Sequence, residues 1–171
     1  MKLILFTGIF LIFMSTMAQQ FPEIKARSLS GNEYVFPAKA SGKITLIVVA
    51  FKRQSQPVIN QWVEFWENNF GNDGGFDFYE IPMLASGWKI MRGIIDGGMQ
   101  SGVPSEKHDK TATYYGPLDH YYNDLEIDDP SIPYLFLLAP DGTIAWRSSG
   151  ILTTDKKNQL LHHANQLNHE K

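Results

Sequence analysis

Two stretches of the chain concentrate side chains able to do chemistry. The first is Lys52-Arg53-Gln54-Ser55-Gln56-Pro57, which follows a continuous apolar run from Ile44 to Ala50. Polar cap residues with a proline in the first turn mark a helix start, where free N–H groups and two cations could hold an anion or carboxylate. The second is Glu106-Lys107-His108-Asp109-Lys110-Thr111, a histidine set among carboxylates, with His120 further along. Such a group could assist hydrolysis or ligate a metal. Neither pattern is complete: there is no HExxH and no G-x-S-x-G turn. The adjacent His162 and His163 would diverge by about 100° on a helix. The blander readings are a solvated helix cap at Lys52–Pro57 and hydrogen-bonded surface residues around His108.

Composition narrows the chemistry. The chain has 171 residues, 43% apolar and 19% charged, with a net charge of −3 and no cysteine. Thiol nucleophiles, CxxC redox pairs, thiolate metal sites and disulfides are all excluded. A pI near 5.9 and no basic run speak against nucleic-acid binding. The glycines at 71, 74, 75, 97 and 98 precede no Gly-Lys-Ser/Thr and make no phosphate loop. Catalytic residues, metal and cofactor are therefore all expected to be none.

The elements that would position these residues follow from patterning. Lys2, the apolar run Leu3–Met14 and the small residues before Gln19 read as an export signal, residues 1–18, cleaved between Ala18 and Gln19. The run is too short for a comfortable membrane span, so an extracytoplasmic, periplasmic chain without a retained transmembrane helix is expected. Residues 19–171 read as a single domain. Glu33–Phe36 is a short edge strand and Ile44–Ala50 a buried central strand. Pro57 to Phe70 is helical, with Trp62 and Trp66 on its core face. Phe76–Ile81 alternates as a strand. Met83–Ile95 has helical spacing, with Trp88 inward and Gly97-Gly98 as its stop. Residues 99–131 form an insertion of loops with a short helix. Its tyrosines at 114, 115, 121 and 122 form either a packed lid or a recognition surface. Tyr134–Leu138 and Thr143–Arg147 pair as a hairpin around Pro140-Asp141-Gly142, and a last helix follows Thr153.

A βαβ half followed by a ββα half resembles the thioredoxin-like superfamily. The expected fold is α/β and three-layered: a mixed sheet flanked by helices, with the insertion before the C-terminal hairpin and helix. Ile132-Pro133, placed before a strand, is expected to be cis as in that superfamily. More narrowly, the chain resembles the mitochondrial assembly-factor family that helps build the F0 sector of ATP synthase. The likeness is carried by Ile47–Arg53, Gln56 and Trp62, by Met99, Pro104, Glu106–Thr111 and Tyr114–Gly116, and by Leu125–Asp129 and Tyr134–Gly150. In redox-active thioredoxin-like proteins the cysteines occupy the place of Arg53–Gln56. The resemblance thus implies a non-redox protein that binds a protein or peptide client, with a subunit of a membrane complex as one candidate. Its groove would be lined by Lys52, Arg53, Gln56, Met99, His108, Tyr115 and Pro133. The alternatives are a degenerate redoxin holding a small anion or acting as a weak hydrolase through His108, and a structural domain with an idle groove.

Overall fold

The structure, a computed structural model, describes residues 19–169; the expected leader and Ala18 lie outside them. In chain order the elements are β1 (Ile24–Ser28), β2 (Glu33–Phe36), β3 (Ile44–Ala50), α1 (Gln56–Phe70), β4 (Phe76–Ala85) and α2 (Arg92–Gly102). They continue with β5 (Ala112–Gly116), α3 (Asp119–Asp124), β6 (Tyr134–Leu138), β7 (Ile144–Ser149) and α4 (Thr154–His169). The strands form one mixed sheet in the order β2-β1-β5-β4-β3-β6-β7. β3, β4 and β5 run parallel, and the remaining pairs are antiparallel.

β3 lies inside the sheet and between two layers, so all seven of its side chains are buried. Ile44, Leu46 and Val48 meet Trp62 and Trp66 of α1 and Leu160 of α4 on one face. Ile47 and Val49 meet Tyr79, Phe136, Tyr121 and Leu125 on the other. That alternation is the period-two geometry of a strand, and it splits the core into two apolar layers.

Five expectations are corrected. The segment expected to be a helix from Met83 continues as strand to Ala85, because β4 overruns β3 and pairs Met83–Ala85 with Tyr114–Gly116 of β5. A 3-10 turn, Ser86–Met91, then leads into α2, which runs through Gly97-Gly98 rather than stopping there. A Cβ at either glycine would meet nothing, so α2 loses only helix propensity at these positions. Trp88, expected in the core, is 52% exposed, since the turn carrying it projects beyond the sheet. The 99–131 segment supplies an interior strand, β5, as well as the short helix α3.

The fifth correction concerns proline. The cis bond is Phe36–Pro37, and Ile132–Pro133 is trans. The trans form is favoured by about 0.5–1 kcal/mol in X-Pro bonds. In that form the Pro133 carbonyl accepts the Gly150 N–H at 2.8 Å, where the β6–β7 ladder begins.

Candidate functional site

β3 ends at one end of the sheet and delivers Lys52 and Arg53 there, both exposed. A 3-10 turn, Arg53–Ser55, tightens the entry into α1 and buries Ser55. The Ser55 hydroxyl donates to the Ser131 carbonyl at 3.1 Å, tying the β3–α1 loop to the chain just before Pro133. Pro133 itself is buried and lines no open groove. Among the described residues neither Lys52 nor Arg53 forms an ion pair. This end of the fold therefore presents two free cations and no nucleophile of thiolate character.

Gln56 turns inward. Its amide donates to Asn60 Oδ1 at 3.0 Å and to Glu80 Oε2 at 3.1 Å. Glu80 alternates with the core residues Tyr79 and Ile81 and so faces α1, where it is 9% exposed. Burial raises its carboxyl above the usual range; Glu67 adds to this, and the Gln56 amide and Lys107 oppose it. An acid with a raised folded pKa loses folding stability as pH climbs through that value. Glu80→Gln is therefore expected to raise Tm at about pH 7, by about 2–4 °C for each ~1 kcal/mol recovered. The gain should fade as pH falls toward 4.5, the unshifted value. Thermal melts across this range test it, and a less stable variant at about pH 7 would show that the carboxylate's bonds outweigh its burial.

The block around His108 separates in space. His108 Nε2 lies 2.9 Å from the Val103 carbonyl and 3.3 Å from that of Gln100, so its ring closes the C-terminal end of α2. Asp109 faces the other way and accepts from Ser30, from Asn32 at 3.0 Å and from Tyr34 at 3.1 Å. Those hydrogen bonds lower its pKa and clamp the β1–β2 turn. Lys107 pairs with Glu67 at 2.6 Å and Lys110 with Asp77. The block acts as a staple joining α1, α2, β1 and β4. His108 and Asp109 share no partner, so they form no hydrolytic dyad. A cleft of about 450 Å³ opens beside the staple, but its lysines, Lys43, Lys107 and Lys110, each have a carboxylate already.

Met99 and Tyr115 lie on α2 and β5 rather than at the α1 loop. Thr113 Oγ1 lies 3.8 Å from Met99 Sδ. The Tyr115 hydroxyl donates to Asp96 at 2.8 Å, with the Arg92 guanidinium 5.4 Å from its ring. Of the expected groove residues, the structure thus brings Lys52 and Arg53 together at the sheet end. It places Gln56 in a buried polar pair, Met99, His108 and Tyr115 around α2, and Pro133 under the surface. Glu80 and the exposed run after β4 were not foreseen. A polar residue in the alternating β4 pattern was the available signal for Glu80.

A mixed sheet between helical layers, with a βα junction tied to Ser131 shortly before a strand-opening proline, defines a thioredoxin-like fold. The fold recurs in BsSco, a member of the Sco family of cytochrome c oxidase assembly proteins. Its TM-score is 0.61 at 9% identity, covering 90% of this chain and 95% of that one. The chain belongs to the ATP10 protein family of assembly factors, whose family model matches residues 2–167. The thioredoxin domain of a thiol-disulfide oxidoreductase from Bacteroides vulgatus has a TM-score of 0.57 at 17% identity, covering 85% of this chain and 94% of its own. A thiol:disulfide interchange protein of the thioredoxin family from Chlorobium tepidum has a TM-score of 0.55 at 12% identity, with 90% and 98% covered. At such identities the structures share the fold alone. No curated protein matches the sequence. Family membership and the absence of cysteine argue against redox enzyme activity. No helix among the described residues is long and apolar enough to cross a membrane.

Proposed function

We propose that the chain is an exported, non-redox assembly factor that holds a protein client without covalent capture. The observation that carries this reading is the β3–α1 loop, where Lys52 and Arg53 stand exposed and unpaired and no cysteine is present to form a disulfide with the client. Membership of an assembly-factor family supports a protein partner rather than a small substrate. Carboxylates on the client would find two cations and the start of α1 at one place. The apolar run Leu3–Met14 supports export to the periplasm, and amino-terminal sequencing of the processed chain should then start at Gln19.

Site-specific photocrosslinking in the native host tests the client site. A crosslinker in place of Arg53 should form a protein adduct. One in place of Asp73, in the α1–β4 loop at the opposite end of the sheet, should not. With the crosslinker moved to the neighbouring Gln54, the paired change K52E/R53E should cut the adduct by about tenfold or more. Equal adducts at Arg53 and Asp73, or an adduct insensitive to the charge reversal, would overturn the site.

A further inference from the structure

The run that follows β4 has a composition unlike the rest of the chain. Residues 81–95 include Lys89 and Arg92 and no carboxylate, in a chain of net charge −3. Every residue from Ala85 to Met91 is exposed. The 3-10 turn puts residues three apart in line, so Trp88 and Met91 stack along one edge. That line continues to Ile94 in the first turn of α2, and Ile90 joins it four residues before Ile94. Their exposures are 52% for Trp88, 93% for Ile90, 41% for Met91 and 72% for Ile94. Lys89 and Arg92, also three apart, make a parallel cationic line. Arg92 is steadied by Asp96 at 3.4 Å, whereas Lys89 has no ion pair among the described residues.

The strip stands on a ridge. β4 passes its last pair with β3, Ala50–Pro82, and β5 alone accompanies it to Ala85. Two clefts among the described residues lie elsewhere, one by Lys43 and Phe70–Phe78, the other between Phe65 and Lys157. A contiguous apolar surface in water marks an interaction site. A projecting ridge of exposed side chains suits a flat, deformable surface better than a peptide, which needs a groove. Tryptophan with aliphatic neighbours and flanking cations is the composition of a bilayer interface.

We propose that this ridge docks on an anionic lipid surface. Trp88, Ile90, Met91 and Ile94 enter the interfacial layer, and Lys89 faces the headgroup phosphates. The docking needs no membrane-spanning helix and no contribution from residues 3–14. It goes beyond client binding, since a client could be held whether or not the ridge is on lipid.

The chain contains its own reporter. Trp62, Trp66 and Trp146 are buried, leaving Trp88 as the exposed indole of the four. The full chain would be mixed with vesicles of phosphatidylglycerol or of phosphatidylcholine, each doped with brominated lipid. Expected are a blue shift and brominated-lipid quenching of Trp88 in the anionic vesicles. Aqueous iodide should lose access to it at the same time. I90E/I94E changes two exposed residues and leaves residues 3–14 intact, so it should weaken that quenching by at least about tenfold. About 1 M salt, with a screening length of about 3 Å, should weaken it too. The proposal falls if Trp88 stays open to iodide while the chain sediments with vesicles, because residues 3–14 would then make the contact. It also falls if quenching is equal on neutral and anionic vesicles, or if Trp88 becomes shielded only when a protein partner is added.

Discussion

Replacing Trp62 by alanine is expected to cost about 3–5 kcal/mol, the range for large aromatic truncations in a core. At this chain length each ~1 kcal/mol moves Tm by about 2–4 °C, so a fall of roughly 6–20 °C should appear in a thermal melt. The size of the effect follows from where the indole sits. Trp62 is fully buried between α1 and the sheet, its ring 6.1 Å from that of Trp146 on β7. Its Nε1 donates to the Gly150 carbonyl at 2.9 Å, just past the end of β7. Alanine would remove the packing and leave that carbonyl without its donor. Trp62→Phe should keep most of the packing and lose chiefly the hydrogen bond, at about 0.5–1.5 kcal/mol. A loss below ~1 kcal/mol for the alanine variant would mean that the α1 layer collapses to fill the cavity. The consequence reaches the functional end, because α1 is the element that orients Arg53–Gln56 over the sheet.

Elements with strong local signals were legible in the residues alone. The unbroken Ile44–Ala50 run, the spacing of Ile59, Trp62, Val63 and Trp66, and the Pro140-Asp141-Gly142 turn each match an observed element. What escaped were β1 and β5. β1 alternates buried and exposed residues, but its exposed positions are Lys25 and Arg27 in a five-residue span. β5 follows a charged block and becomes interior only because β1 and β4 close on either side. Period-two and helical templates both fit Met83–Ile95 in part, and pairing with β5 decided for strand as far as Ala85.

The site was legible to a different degree. Spacing along the chain brought His108 beside Glu106 and Asp109, but only the fold determines where neighbouring side chains point. Here His108 turns to α2 and Asp109 to the β1–β2 turn. A constellation that reads as acid–base chemistry is a staple, and Lys52 and Arg53 are left exposed and without an ion pair at the sheet end. Exposure of Trp88 could not be read from spacing either. The acid-free stretch from 81 to 95 was the one visible trace of that surface.

Tyr134→Phe should lower stability by about 2 kcal/mol and Tm by about 4–8 °C, although it removes a single oxygen atom. That buried phenol oxygen accepts two backbone N–H groups, Asp128 at 3.0 Å and Asp129 at 2.9 Å. Phenylalanine keeps the ring and leaves both amides unpaired, each at about 1–3 kcal/mol if water cannot reach it. A loss under ~0.5 kcal/mol would show that water takes the oxygen's place. The two amides anchor the loop that carries Ser131, whose carbonyl receives the Ser55 hydroxyl beside Arg53. Hydrogen exchange should therefore accelerate at Asp128 and Asp129 first, and then at the Arg53–Ser55 turn if the hydroxyl link transmits the loosening. Crosslinking from Arg53 in the same variant separates two roles for that link. If the client reads only the two cations, the adduct persists; if it needs them held at a fixed distance from the Ser131 loop, the adduct falls while the fold survives.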